Sequence, residues 1–334
     1  MQKEQIYKHR VFITGDTHCP IDIHKLNSKN FPLGNTLTKS DILIICGDGG
    51  FVWSGDKRNK WWIEWISNKT WTTVYVDGNH ENHPLLNSYP VVDFYGAKAN
   101  KITDSLYHIK RGEIMTINGK TFFCMGGAFS HDVEFRTEHV DWWQDELPNR
   151  EEIKNAVDNL TKYKNKVNYI ITHDIPLSLN KLFGYDRQPD MKRYDQSYRV
   201  DICKFLQKIY DSIKFDNWFA GHYHINSKLD RINILYDDII ELNFDDESFH
   251  KIENPIEVIL NRTYNIDQLF EIAMEEKLYI DTKLNINTFD ALFDEADVMP
   301  LVELLKCELT DDEIKTLNRK YNEYCLSKFN GHQY

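Results

Sequence analysis

The hydrophobic residues fall into short runs, and five of these runs are followed at once by a turn that carries polar side chains. β-favouring residues dominate the runs, and several are continuously apolar, as expected for strands buried on both faces. Each run ends in a turn led by Gly or Thr and bearing Asp, Asn or His. The five units lie within residues 11–18, 41–50, 72–81, 167–176 and 216–224.

Helical spacing separates several of these predicted strands. Residues 60–66 place apolar side chains on one helix face, and residues 150–163 and 199–210 also have helical patterns. A hairpin is predicted at residues 117–121, because the Asn-Gly pair there tolerates positive φ. Two closing strands are predicted within residues 225–244. The alternation of strand and helix indicates an α/β fold.

The pattern becomes helical and acidic near the end of the chain. Residues 310–313 form a capping box that opens a helix. Residues 246–334 carry 19 acidic and 9 basic residues, which is most of the net charge of −12. We therefore predict an acidic helical C-terminal extension. It would either form a helical cap that buries an apolar stripe on the preceding domain, or gate a site, or recruit a protein partner.

Composition narrows the protein class. With 334 residues, of which 41% are hydrophobic, the chain can build a substantial core. The six cysteines are scattered without a Cys-x-x-Cys pair, so a disulfide framework is not expected. Cys19 and Cys46 are expected to point away from the polar side chains beside them. The chain has neither an apolar leader nor a stretch of about 18 apolar residues, which predicts a cytoplasmic protein without a membrane span.

The polar residues after the five strands have the composition of a metal site. Any one such turn could be an ordinary polar turn, but the carboxyl ends of strands in an α/β sheet are where a site is assembled. The pooled set is too large for one ion and suits two ions about 3.5–4 Å apart, bridged by a carboxylate. Imidazole mixed with carboxylate favours Mn²⁺, Fe or Zn²⁺ over Ca²⁺. The predicted ligands are Asp16, His18, Asp48, Asn79, His173, His222 and His224.

The last two histidines follow the predicted strand at 216–220. Residues two apart on a strand project to the same face, so we expect His222 and His224 to converge through strand alternation.

The same turns match, in order and approximate spacing, the motifs of the calcineurin-like metallophosphoesterase superfamily, which the chain resembles over about residues 10–245. The resemblance implies a four-layer αββα metallophosphoesterase sandwich, with two mixed β-sheets flanked by helices, over residues 1–248. The acidic helical extension would then occupy residues 249–334. The matching segments are Gly15-Asp16-Thr17-His18, Gly47-Asp48, Gly78-Asn79-His80-Glu81, Thr172-His173 and Gly221-His222-Tyr223-His224.

The resemblance also implies a role for each of these residues. Asp48 would bridge two divalent ions, which we expect to be manganese, with iron or zinc as alternatives. A bridging hydroxide would attack the phosphorus, and His80 would donate a proton to the leaving oxygen. The other implied ligands divide three to each ion: Asp16, His18 and His224 for the first, and Asn79, His173 and His222 for the second.

A second, shorter match covers residues 126–148 and resembles a bacterial or phage-type subgroup of the superfamily. It suggests four residues on the substrate side of the site. The alternative is a structured turn capped by local hydrogen bonds. The four residues are Ser130, His131, Asp132 and Arg136.

The chain departs from the protein Ser/Thr phosphatases of the superfamily, which carry Asp-Arg-Gly after the second motif. Gly49-Gly50-Phe51 stands there instead. The usual partner of the catalytic histidine and the usual phosphate-binding arginine are therefore missing. We consider Asp77 as a residue that orients His80, and Arg58, Arg136, Arg187 or Arg193 as the source of the positive charge.

The expected function is hydrolysis of a phosphodiester or phosphomonoester, on a nucleotide or another small phosphoester. A protein Ser/Thr phosphatase and a nuclease are the alternatives. Nucleic-acid affinity depends largely on neutralising phosphates, and the near-neutral residues 1–245 do not predict a basic groove. An interaction protein that retains the fold and the metal without catalysis is the competing class.

Overall fold

The computed structural model describes residues 9–180, 182, 191–246 and 248–252. Residues 9–22 and 36–252 belong to one compact unit, and residues 23–35 belong to a second. The helices predicted after residue 250 lie outside the described residues, and so does most of the segment at 181–190. The domain boundary at residue 248 stays a prediction.

The described residues contain strands and helices in alternation. The strands are β1 (Val11–Thr14), β2 (Ile42–Ile45), β3 (Thr72–Tyr75), β4 (Val91–Phe94), β5 (Ala97–Lys101), β6 (Leu106–Ile109), β7 (Glu113–Ile117), β8 (Lys120–Met125), β9 (Tyr169–Thr172), β10 (Asn217–Ala220), β11 (Ser227–Leu229), β12 (Ile232–Ile234), β13 (Ile239–Asn243) and β14 (Ser248–Lys251). The helices are α1 (Lys57–Ser67), α2 (His83–Asn87), α3 (Arg150–Lys162), α4 (Leu177–Asn180) and α5 (Ile202–Ser212).

The strands form two mixed sheets. The larger has the order β14-β13-β1-β2-β3-β6-β5-β4, and the smaller has the order β11-β12-β10-β9-β8-β7. Strands β1, β2, β3 and β6 are parallel to one another, and so are β8, β9, β10 and β12. Antiparallel pairs extend both sheets. Parallel strands are covered on both faces, which explains the continuous apolar runs of the sequence.

One hydrophobic core lies between the two sheets. Ile13, Ile44 and Val74 of the larger sheet share this core with Phe122 and Ile171 of the smaller sheet. Alternate residues of these strands face the other way. Each sheet therefore has an apolar outer face that a helix must cover.

Helices cover both outer faces. Trp62 and Ile66 of α1 are buried, and α1 packs beside β3 and β6. On the smaller sheet, Leu160 of α3 and Leu206 of α5 form a second core with Trp218. These four layers confirm the αββα sandwich. Among helices of the described residues, none has the length and apolar character needed to cross a bilayer.

The remaining differences from the sequence predictions are local. The helix predicted at 199–210 begins at Ile202, because the Asp201 side chain accepts a hydrogen bond from Lys204 N and caps it. The predicted hairpin is present between β7 and β8, with positive φ at Asn118 and Gly119. The sequence did not distinguish β4 and β14, because these edge strands are half-exposed and lack an apolar run.

Candidate metal centre

The predicted ligands lie in five loops, each directly after a parallel strand. Three of these loops leave the larger sheet and two leave the smaller sheet, so the site is assembled where the carboxyl ends of both sheets meet. Asp16 and His18 follow β1, Asp48 follows β2, Asn79 and His80 follow β3, His173 follows β9, and His222 and His224 follow β10.

The backbone brings the two histidines of residues 221–224 together in a way that we did not predict. Strand β10 ends at Ala220, and both histidines lie beyond it with left-handed backbone, at φ 71° for His222 and 48° for His224. The expected alternation along a strand is therefore wrong as the reason for their convergence. His18 and Asp48 also have positive φ, at 35° and 49°. Non-glycine residues adopt this region at a cost of about 1–3 kcal/mol, mostly where a site requires it.

One cluster surrounds the fully buried carboxylate of Asp16. His224 Nε2 lies 3.2 Å from Asp16 Oδ2. The backbone N–H of His222 donates to Asp16 Oδ1 at 2.9 Å. Asp16, His18 and His224 each offer one ligand atom, and these three atoms lie within 4.8 Å of one another.

A second cluster surrounds Asp48, which lies between histidines from both sheets. Asp48 Oδ2 is 3.0 Å from His18 Nε2 and 3.1 Å from His173 Nε2. Asp48, His173 and His222 meet the same 4.8 Å criterion, and so do His18, Asp48 and His80. The Asp48 carboxylate is thus shared by groups of candidate ligands on either side of it.

The ring orientation of two histidines is set from outside the clusters. His18 Nδ1 lies 2.7 Å from Asp22 Oδ2, and His173 Nδ1 lies 2.8 Å from the carbonyl oxygen of Cys46. Both rings therefore direct Nε2 toward Asp48. Histidines that ligate metals usually have their second nitrogen held in this manner.

Two glycines allow the loops to approach the carboxylates. A Cβ at Gly78 would collide with Asp48 Oδ1, and a Cβ at Gly221 would collide with Asp16 Oδ1. The Gly-led turns of the sequence are therefore required here by close approach of the backbone.

Two buried polar atoms of the site show whether its residues fit a metal ion. Asn79 Oδ1 and His173 Nε2 are buried without a hydrogen-bond partner among the described residues. His173 Nε2 is close to Asp48 but does not meet the geometry of a hydrogen bond. Buried polar atoms are normally paired, and both are atoms that bind divalent ions. The donors present therefore fit a metal.

Four groups of the site have pKa values far from their usual values. Burial opposes a charge on Asp48, but His173 and His18 outweigh it and hold the pKa of Asp48 well below its usual value. Burial likewise opposes protonation of His18 and His173, yet the nearby carboxylates raise their pKa values to about 10 and about 9. Burial and then His173 keep the pKa of His222 well below its usual value. Divalent cations would replace these protons.

The comparison with known families agrees with this geometry. Residues 9–226 match the sequence model of the family described as calcineurin-like phosphoesterase. The chain belongs to the calcineurin-like phosphoesterase family. Every predicted ligand falls inside the matched range, and the chemistry of the family is metal-dependent hydrolysis of phosphoesters. No curated protein matches the chain.

Within this phosphoesterase fold, Asp77 does not orient His80 as we expected. Its carboxylate is fully buried and faces the other way, with Oδ1 3.0 Å from His108 Nε2 and Oδ2 accepting from Arg111 Nε at 2.9 Å. His83 Nε2 lies 3.5 Å from Oδ2. These contacts assign Asp77 to a buried ion-pair network beneath the loop after β3.

The loop after β8 does reach the site, although its four residues differ in what they contact. The ring of His131 stacks on His222, with centroids 5.1 Å apart. Ser130 is buried, and its hydroxyl already bonds to Asn79 and Glu146, so it does not face a substrate. Asp132 Oδ1 accepts from Arg136 Nε at 2.6 Å. This loop is therefore held by local hydrogen bonds and also lies close to the candidate metal ligands. The two alternatives predicted for it do not exclude each other.

The positive charge of Arg136 in this loop affects the pKa of His80. Burial lowers the pKa of His80 most, Asp48 opposes that effect, and the charges of His18 and Arg136 lower the pKa further. Its ring packs edge-on against His18, with centroids 5.1 Å apart. Arg58, by contrast, is exposed near the start of α1, and within the described residues no hydrogen bond or ion pair joins it to the candidate ligands.

Two carboxylates support the site in roles that the sequence did not predict. Asp22 lies four residues after His18 and holds its ring, a spacing that could have been noticed. Glu146 belongs to the second match at residues 126–148, but its role could not be predicted, because its partners lie 16 and 48 residues away.

Proposed function

We propose that the chain hydrolyses a small phosphoester with the help of two divalent ions, which Asp48 would hold together with the candidate ligands on either side of it. The observation that carries this proposal is the position of Asp48 Oδ2, which lies about equally far from His18 Nε2 and His173 Nε2, at 3.0 and 3.1 Å. One ion would lie with Asp16, His18 and His224. The other would lie with His173, His222 and the oxygen of Asn79.

Manganese is the ion we propose, with iron or zinc as alternatives, because the donors mix imidazole nitrogen with carboxylate oxygen. When bound, such a pair lowers the pKa of a water and polarises the phosphoryl oxygens.

The residues of the chain then supply orientation and a proton. His80 lies beside the Asp48 cluster, and its backbone N–H donates to Asp48 Oδ1 at 2.7 Å. This hydrogen bond supports a position of the His80 ring beside the candidate ligands, from which it would protonate the leaving oxygen. Arg136 acts electrostatically on the same ring. We propose that Arg136 exchanges its pairing with Asp132 for a phosphate oxygen of the substrate.

The substrate we favour is a nucleotide or another small phosphoester. A protein Ser/Thr phosphatase would need the cation that follows its second motif, whereas the residues that follow it here, Gly49, Gly50 and Phe51, are all uncharged. A nuclease would need a basic groove, and the near-neutral residues 1–245 do not predict one.

The test is hydrolysis of mono- and bis-nitrophenyl phosphate by the purified protein with added Mn²⁺, followed by a panel of nucleotides and other small phosphoesters. We expect turnover that chelation abolishes and that Asp48→Asn reduces by at least about 100-fold. Asp158→Asn, on the exposed face of α3, is the matched control and should retain activity. A folded, metal-loaded protein that hydrolyses no phosphoester would contradict the proposal and favour the interaction-protein class.

A further inference from the structure

A chain of hydrogen bonds runs from Asn79 into the protein interior. Asn79 Nδ2 donates to Ser130 Oγ at 3.3 Å, and Ser130 Oγ donates to Glu146 Oε2 at 2.7 Å. Glu146 is fully buried, while Ser130 and Asn79 are nearly so. The chain therefore links a candidate ligand to a carboxylate outside both clusters.

Glu146 accepts hydrogen bonds at both of its carboxylate oxygens. Its Oε1 accepts the backbone N–H of Ser130 at 2.8 Å and the hydroxyl of Tyr194 at 2.5 Å. Its Oε2 accepts the Ser130 hydroxyl. Three donors thus converge on one carboxylate, which fixes both of its oxygens.

This arrangement decides which end of the Asn79 amide faces the site. A serine hydroxyl has one proton, and Ser130 gives that proton to Glu146. Toward Asn79 the hydroxyl can present only a lone pair, so it accepts from the amide NH₂. The amide oxygen must then lie on the opposite side, where it is buried without a partner among the described residues.

We propose that Glu146 is a positioning residue that, through Ser130, locks the Asn79 amide with its oxygen toward the second metal ion. The inference rests on the proposed function only in taking Asn79 as a ligand of that ion. An amide in the reverse orientation would present two N–H donors to a cation and could not bind it.

Glu146→Gln tests the proposal with almost no change in shape. Oε1 of glutamine would keep the bonds from Ser130 N and Tyr194, which places the new NH₂ group against Ser130 Oγ. The Ser130 hydroxyl would then have to donate toward Asn79, and the Asn79 amide would turn over. We expect the second Mn²⁺ to bind about 10–100-fold more weakly, with the first ion unaffected.

The measurement is a calorimetric titration of the apoprotein with Mn²⁺, supported by the spin-coupled electron paramagnetic resonance signal of a Mn²⁺ pair. Glu113→Gln is the matched control, because Glu113 is also a buried glutamate that accepts from a backbone N–H and an asparagine side chain. Glu113→Gln should keep both ions. Equal affinity for both ions in Glu146→Gln and the wild type would overturn the proposal.

A rescue variant separates positioning from general destabilisation. Aspartate at position 79 has oxygens on both arms, so it can ligate an ion and also accept from Ser130. Asn79→Asp should therefore restore the second ion in the Glu146→Gln background. Continued loss of that ion in the double variant would show that Glu146 supports the loop in another way, and would overturn the positioning role.

A second variant covers the case in which Glu146→Gln does not fold. Ser130→Ala removes the acceptor for Asn79 while leaving Glu146 with Tyr194, so the second ion should again bind more weakly. Unchanged binding of both ions would overturn the proposal. A wild-type protein that binds two Mn²⁺ ions but hydrolyses no phosphoester would contradict the proposed function alone, whereas an active wild type with two ions, whose Glu146→Gln variant binds both as tightly, would contradict this inference alone.

Discussion

Replacing Arg111 with methionine should destabilise the folded protein by about 3–5 kcal/mol, the usual cost of leaving a buried charge without its partner. The Arg111 side chain is almost fully buried, and its guanidinium donates twice to Asp77 Oδ2. It also donates to Glu152 Oε2 at 3.2 Å and to the carbonyl oxygens of Asp145 and Glu146. The variant would lose all of these bonds together.

The size of the effect follows from what remains around Asp77. Burial opposes the charge of this carboxylate, and Arg111 is the largest influence that holds its pKa well below the usual value. Without Arg111, the nearest donors are His108 at 3.0 Å and His83 at 3.5 Å. Burial lowers the pKa of His108, so this ring does not replace a permanent cation at neutral pH, and the cost should lie near the upper part of the range.

The assay is urea unfolding followed by circular dichroism, with thermal melting as a second measure. At about 2–4 °C per kcal/mol for a domain of 150–250 residues, the melting temperature should fall by roughly 6–20 °C. Lys154→Met, which breaks the exposed pair with Asp158, is the matched control and should cost less than about 1 kcal/mol. A loss below about 1 kcal/mol for Arg111→Met would refute the reasoning.

The same network predicts a pH dependence with a definite sign. The folded pKa of Asp77 lies below its unfolded value, so its contribution to stability is present above about pH 4 and is lost as pH falls through the folded pKa. In Arg111→Met, removal of a positive charge raises the pKa of His108, which can then pair with Asp77. The loss of stability should therefore be smaller at pH 6 than at pH 8, and the opposite order would contradict this account.

Three further predictions concern the site. His222→Ala and His224→Ala should each lose a different ion by metal analysis, and equal loss of both ions in either variant would argue against the division of ligands. His80→Asn should keep both ions but lower kcat for alkyl phosphoesters by about 10²–10⁴-fold. The decrease should be much smaller for nitrophenyl esters, because their leaving group needs no proton. An equal decrease for both kinds of ester would exclude the proton-donor role. Gly78→Ala should abolish binding of the ion pair, because its Cβ would displace the Asp48 carboxylate, and a titration showing two tightly bound ions would contradict that close approach.

The sequence by itself determined the strands and the polar positions that end them. Strands buried on both faces must be apolar throughout, and glycine is needed where the backbone passes a carboxylate, so Gly78-Asn79 and Gly221-His222 are visible in the order of residues alone. Both patterns can be read along the chain, and they predicted the candidate site without any knowledge of how the sheets pack.

Only the tertiary structure decided which side chains meet. Asp77 follows its strand in the same manner as Asp48, yet it faces inward to Arg111, which lies 34 positions away. The convergence of His222 and His224 depends on left-handed backbone beyond the strand, which hydrophobic periodicity does not encode. Glu146 reaches Ser130 only because the loop after β8 folds back on itself. Such pairings depend on long-range packing, whereas the pattern along the chain records only which face of each element is buried.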